Sequence, residues 1–145
     1  MFDPWPMRVA ALLLIVVSTC GCGGDARRAS IVGTVTLDGE PLPEGAIAFI
    51  PTAGNKGPST GAVVSDGRFE VPQQRGPFVG QNRVEIRASR ETGRMIPDPR
   101  HPSGPNVPLV PEFAEYVPEH YNDASTLVRE VKQGRNTLDF DLKAE

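Results

Sequence analysis

Glycine and proline interrupt this chain so often, 15 of each in 145 residues, that long helices fit it poorly and short strands joined by turns fit it well. Between those interruptions the apolar residues recur every second position, the period of a strand with one covered face. Residues 30–37 put Ile31, Val35 and Leu37 on one side, and Asp38-Gly39 follows as a tight-turn dipeptide. In GEPLPEGAIAFIP, Ile47 and Phe49 alternate with Ala46, Ala48 and Ile50, so both faces are apolar and a central strand is expected. Residues 61–65 and 68–71 form a second hairpin around Asp66-Gly67, with Val63, Phe69 and Val71 expected inward. Residues 83–88 turn Val84, Ile86 and Ala88 inward, and residues 125–132 and 136–142 supply the closing strands. In the last of these, Leu138, Phe140 and Leu142 oppose Thr137, Asp139 and Asp141. The expected fold is all-β: a seven-stranded antiparallel β-sandwich over residues 30–145.

One segment resists that pattern. Prolines fall at 97, 99, 102, 105, 108, 111 and 118, which opposes a central strand and favours polyproline-like extension. Residues 97–118 are therefore expected to be a long excursion from the sandwich.

The amino-terminal end carries a different message. Residues 9–17, VAALLLIVV, lack any charge, yet the run is shorter than the roughly 20 residues a spanning helix needs. Its length suits the core of a secretory signal. Asp3, Pro4 and Pro6 sit awkwardly before it, whereas starting at Met7 gives a compact basic head. The two cysteines follow in STCGCGGDARR. Zinc would need further ligands, and His101 and His120 have no ligand spacing. A C-x-C disulfide is strained, and a redox pair is usually C-x-x-C beside a βαβ unit. An aliphatic residue and small residues before a Cys, just past a signal core, resemble the lipobox of bacterial lipoproteins. Cys22 has Gly21 before it, and cleavage there leaves no spare thiol; Cys20, with Val17 three back, is the alternative. The resemblance implies residues 1–21 as a signal peptide and residues 22–29 as a flexible tether. Seven residues at most about 3.5 Å each keep the domain within roughly 25 Å of a bilayer. Arg27 and Arg28 lie within reach of anionic head groups but read more simply as solvated linker charges.

The domain itself carries a family likeness. The segments GTVTLDGEPLPEGAIAFIP, SDGRFEV, GPFVGQNRVEI, VPEHYND and LVREVKQGRNTLDFDL resemble the carboxypeptidase regulatory-like, or transthyretin-like, domain in its small bacterial lipoprotein form. The likeness spans most of residues 30–142 outside the proline-rich part. Asn82 stands where that family usually has an aromatic residue. The resemblance implies a β-sandwich with no assigned activity, and a fold alone confers none.

The functional expectations follow. A net charge of −3 argues against nucleic acid, whose binders concentrate excess Lys and Arg. Transthyretin-like proteins include hydroxyisourate hydrolases, which carry catalytic His and Arg and a terminal Tyr-Arg-Gly-Ser; this sequence closes on DFDLKAE, and His101 and His120 lie in or beside the proline-rich excursion. No catalytic residue, metal ligand or cofactor is expected. Glu112, Glu115, Glu119 and Asp123 read as solvated partners for Arg87, Arg90, Arg94 and Arg100. His101 reads as a solvated loop residue and His120 as a turn residue. The binding candidates are Tyr116, Tyr121 and His120, with Phe78 and Phe113 as further loop aromatics, and Tyr121 reads more simply as an anchor for its turn. The expected role is a lipid-anchored cell-envelope protein facing the periplasm or exterior, structural or binding rather than catalytic. Its expected partners are the membrane and an envelope protein or polysaccharide, and the alternative is a carbohydrate- or peptide-recognition module.

Overall fold

The computed structural model describes residues 27–144, apart from residues 53, 102 and 105. The signal segment, Met7, Cys20, Cys22 and the first part of the tether lie outside the described residues.

Two Asp-Gly turns set the frame. Asp38 and Gly39 have φ of 52° and 86°, and Asp66 and Gly67 have 48° and 71°. Positive φ at both central residues matches the twist of the flanking strands, which is why Gly stands second in each pair. The first turn folds β2 (Glu40–Pro41) back on β1 (Ser30–Leu37), and the second joins β4 (Thr60–Ser65) to β5 (Arg68–Val71). Gly67 packs so closely on Pro41 that a Cβ there would come within 2.7 Å of the proline side chain.

The remaining strands are β3 (Glu44–Pro51), β6 (Gly80–Arg87), β7 (Ser89–Pro97), β8 (Leu109–Glu115), β9 (Val128–Val131), β10 (Arg135–Thr137) and β11 (Phe140–Leu142). Nine of the eleven described strands form one curled sheet in the order β10-β1-β5-β4-β3-β6-β9, with β2 and β11 also on β1. Strands β7 and β8 form a separate two-stranded ribbon. Among the described residues the fold is thus almost entirely β and mostly antiparallel, with eleven strands rather than seven.

The concave side of the curled sheet holds a single core. Ile31, Val35, Ile47, Phe49, Val64, Val84, Ile86 and Val131 are buried there, with Phe140 and Leu142 from the last strand. The Phe69 ring lies 6.2 Å from the rings of both Phe49 and Phe140, tilted against each. Burying a side chain of this size stabilises by about 1.5–3 kcal/mol. At the seam between the outer strands, buried Asn136 takes the place of a backbone ladder. Its Oδ1 accepts from the Lys132 amide at 2.9 Å, and its Nδ2 donates to the Lys132 carbonyl at 2.7 Å.

Several expectations need correction. Strand β3 is central in hydrogen bonding, but only Ile47 and Phe49 are fully buried; Ala46 is exposed. In β4 it is Val64 that faces the core, while Val63 is 69 % exposed, because Val64 pairs with Gly45 on the covered face. The closing segment divides into β10 and β11, both parallel to β1. Its alternation still holds: Phe140 and Leu142 are buried, Leu138 packs on the core, and Thr137, Asp139 and Asp141 are exposed. Residues 97–118 are only in part an excursion, since Leu109–Glu115 is a strand containing Pro111. A two-stranded ribbon has an unpaired side on each strand, so a residue without an N–H is accommodated. Asn82 is fully buried and turns to the backbone, its Nδ2 donating to the Phe78 and Gly80 carbonyls at 3.0 and 2.9 Å.

Strand direction gives the molecule two ends. Strands β1, β4 and β6 begin at the end where residue 27 enters, and β3, β5 and β9 run back to it. Eight-residue strands set the ends about 25 Å apart. The ribbon continues directly from β6 and so leaves from the end opposite the tether.

Candidate functional site

The ribbon is built from residues that a soluble surface normally avoids placing together. Its register pairs Met95 with Pro111, Pro97 with Leu109, and Glu91 with Phe113. Because strand side chains alternate, Met95, Pro97, Leu109, Pro111 and Phe113 share one face. Met95, Leu109 and Phe113 are 56 %, 58 % and 59 % exposed. The opposite face carries the half-buried pair Ile96 and Val110. A register irregularity between Glu91 and Met95 includes Gly93, whose φ of 81° bends the strand.

At its base the ribbon is pinned to the curled sheet. The Ala88 amide donates to Glu115 Oε1 at 2.8 Å, and the Tyr116 amide donates to the Ala88 carbonyl at 3.0 Å. Arg87 reaches from β6 to Asp123, with Glu85 and Glu115 at 3.6 and 3.8 Å. Hydrogen bonding from Arg87 holds the Asp123 carboxyl below its ordinary range, and the same contact raises Arg87. Higher up, Arg94 lies 3.5 Å from Glu112, which also accepts from Thr92 at 2.7 Å. The expected arginine–carboxylate complementarity is therefore present for Arg87 and Arg94. Arg90 instead lies over the Tyr116 ring, 5.2 Å from its centroid. Arg100 pairs with Asp98 at 2.9 Å.

Where the ribbon meets the first hairpin, a groove of about 590 Å³ opens. One wall is Leu37, Leu42 and the prolines Pro41 and Pro43; the other is Arg90, Phe113 and Tyr116. Glu40, Glu44 and Glu91 rim it. Phe113 also borders a second hollow of about 460 Å³ shared with Ala46, Val63 and Arg87. An apolar groove with aromatic walls and a few carboxylates is suited to binding an amphipathic ligand: a sugar face or an extended peptide.

The candidates from sequence divide on this geometry. Tyr116 and Phe113 come together in the groove. Tyr121 lies elsewhere, packed on the core with its hydroxyl accepting from the Lys143 amide at 3.1 Å. His120 is exposed and its ring lies 4.0 Å from that of Tyr121. His101 is exposed beside Asp98 at 3.4 Å. Phe78 is buried beneath the guanidinium groups of Arg27 and Arg28, so its ring offers no open platform. Sequence reasoning missed Arg90, Glu40, Glu44 and Leu42 as neighbours of the aromatics. The signal for the hairpin half was the Asp38-Gly39 turn, but nothing local tells which loop a distant ribbon meets. Cys20 and Cys22 lie outside the described residues. Among the described residues no group of three His, Cys, Asp or Glu is placed to hold a metal ion. Among them, too, no helix is long and apolar enough to cross a membrane.

No protein-family model, curated protein or solved structure matches the chain.

Proposed function

We propose that this chain is a lipid-anchored protein of the cell envelope, facing the periplasm or exterior. In this reading Cys22, or Cys20 in its place, carries the lipid. The curled sheet is a two-layered β-sandwich of the transthyretin-like, carboxypeptidase regulatory-like kind, and it serves as a non-catalytic structural or binding module. The observation that carries the reading is the exposed apolar face of the ribbon at the end away from the tether. A two-stranded ribbon is marginal by itself in water, and a contiguous apolar face on it marks a surface that gains from being covered.

A narrower second reading is favoured by the groove. Phe113 and Tyr116 with Glu40, Glu44 and Glu91 offer ring faces and acceptors together, as recognition of a carbohydrate or an extended peptide requires. Mass spectrometry of the envelope-purified protein tests the anchor: diacylglycerol on Cys22 or Cys20 is expected, and an unmodified thiol sinks it. Titration with envelope polysaccharide fragments and extended peptides, read by tyrosine fluorescence and calorimetry, tests the groove. One class should bind, with the signal lost in Phe113→Ala and kept in His120→Ala. A flat response across the panel removes the recognition reading and leaves the structural one. A turnover that His120→Ala abolishes overturns the non-catalytic reading.

A further inference from the structure

We propose that the end of the domain from which the tether leaves is a docking face for an anionic bilayer surface, so that the protein stands on the membrane by this end with its ribbon pointing away. The inference rests on the membrane anchor of the proposed function and adds to it a defined orientation.

Four segments meet at this end. The Val79 amide donates to the Arg27 carbonyl at 2.8 Å, the Ala29 amide to Pro77 at 3.0 Å, and the Ser30 amide to Gly134 at 3.0 Å. Thr60 donates through Oγ1 to the Arg75 carbonyl, and Asn55 through Nδ2 to Phe78 at 3.4 Å. The segments 27–29, 52–59, 72–79 and 132–135 contribute Arg27, Arg28, Lys56, Arg75, Lys132 and Arg135, and not one Asp or Glu. Arg28 is half-buried and the other five are exposed. The nearest described carboxylates, Glu70 and Glu130, sit just inside on β5 and β9, and the tether adds Asp25. Six cations against two carboxylates among the described residues at this end, in a chain of net charge −3, leave the remainder distinctly acidic. Asp38, Glu40, Glu44 and Asp66 lie at the opposite end.

Two of the cations are also held in place. The guanidinium carbons of Arg27 and Arg28 lie 5.5 and 4.6 Å from the Phe78 ring centroid, and Arg28 Nη1 donates to the Gly76 carbonyl at 2.7 Å. Beside them a hollow of about 310 Å³ is bordered by Lys56, Asn55 and Gln133, whose amines and amides suit a phosphate oxygen. Membrane surface charge acts over only about 8 Å at physiological salt. Because residues 27–29 are bound to the domain, the leash from Cys22 to residue 27 spans at most about 18 Å, which keeps this face close to that range and raises its effective concentration there. The acidic end is repelled by the same field, so attraction and repulsion select one orientation.

The three lysines of the chain give a direct reading, since Lys56 and Lys132 lie on the docking face and Lys143 at the far end. The full chain, produced without lipid, is coupled through its cysteine thiols to maleimide lipids in two kinds of vesicle. One is phosphatidylcholine alone and the other contains about a third phosphatidylglycerol. Lysine acetylation is then followed by mass spectrometry. On the anionic vesicles Lys56 and Lys132 should react at least about threefold more slowly, with Lys143 unchanged. The protection should vanish at about 1 M salt, where screening acts within roughly 3 Å. Arg75→Gln with Arg135→Gln should reduce it, and Arg94→Gln on the ribbon should not. Equal lysine reactivity on both vesicles overturns the proposal. So does protection by soluble polyphosphate without protection by anionic vesicles, which assigns the face to a soluble polyanion. Because the tether is supplied chemically, this outcome is independent of whether the cell lipidates the cysteine.

Discussion

The curled sheet and the β7–β8 ribbon are made of the same backbone ladder, yet they are held by different forces. In the sheet, Ile31, Phe49, Val64, Val84 and Ile86 are completely buried, and the ladder encloses them. In the ribbon most residues of both strands are exposed. What fixes it is its own register, the base contacts through Ala88, Glu115 and Tyr116, and the Asp98 cluster in the loop at its tip. Pairing alone orders a strand, but burial decides how much free energy it takes to open one. The sheet should therefore open only globally, and the ribbon locally.

The largest effect expected is in the core. Phe49→Ala removes a fully buried ring that packs on Phe69, and it should cost about 3–5 kcal/mol in chemical denaturation. That loss should appear in sheet and ribbon amides together, because the ribbon base hangs on the sheet. A loss below about 1 kcal/mol would contradict the single-core picture. Next is Gly33→Ala. A Cβ at this position would stand 1.8 Å from the Leu138 carbonyl oxygen, at the break between the two parallel strands β10 and β11. Overpacking of this sort costs about 1–3 kcal/mol, and residues 135–142 should show the earliest loss of exchange protection.

These two positions also show what the sequence could and could not disclose. Phe49 was legible as core from alternation alone, as were Val84, Ile86, Phe140 and Leu142. Both Asp-Gly turns were legible because positive φ has a residue preference. Gly33 was not, since its constraint comes from Leu138, more than a hundred residues along the chain. The choice between Val63 and Val64 was not legible either, because both are valines and only pairing to Gly45 decides it. For the ribbon, proline bars pairing in a central strand but not in one with an open side, and the sequence alone does not say which of the two a strand will be. The groove was half-legible: the aromatics were candidates, but their meeting with the Glu40–Pro41 hairpin is a matter of three-dimensional packing.

The ribbon tip offers a smaller, local effect. Asp98 accepts from the Arg100 amide and Nε at 3.0 Å and from Nη2 at 2.9 Å, with His101 at 3.4 Å. Those contacts, Arg100 first, lower its carboxyl to about 2. Its cover comes from its own loop rather than from the core, so the effect stays in residues 98–108. A depressed folded value means that the stabilisation is fully present above the ordinary value of 3.8 and is lost as pH falls through about 2. Hydrogen exchange in residues 98–108 should speed up across that window, and Asp98→Asn should show the fast rate at every pH. If exchange there stays slow at pH below 2 in the unaltered protein, the staple is not what orders the tip.

The smallest effect on stability is expected where the effect on binding should be largest. Phe113 stands 59 % exposed, so truncating it gives up little burial in the unliganded molecule. Phe113→Ala should shift the denaturation midpoint by no more than about 0.5 kcal/mol equivalent. Compared with Phe49→Ala, the chemical change is identical and only the surroundings differ. A protein that places a phenylalanine where it contributes so little to its own folding has a wall of the groove made of unused apolar surface. The sharpest outcome is thus a variant as stable as the parent that no longer responds to the ligand class the parent binds. Should Phe113→Ala instead destabilise the chain by several kcal/mol, Phe113 belongs to the packing that holds the ribbon upright, and the contrast between enclosed sheet and open ribbon fails at its most exposed residue.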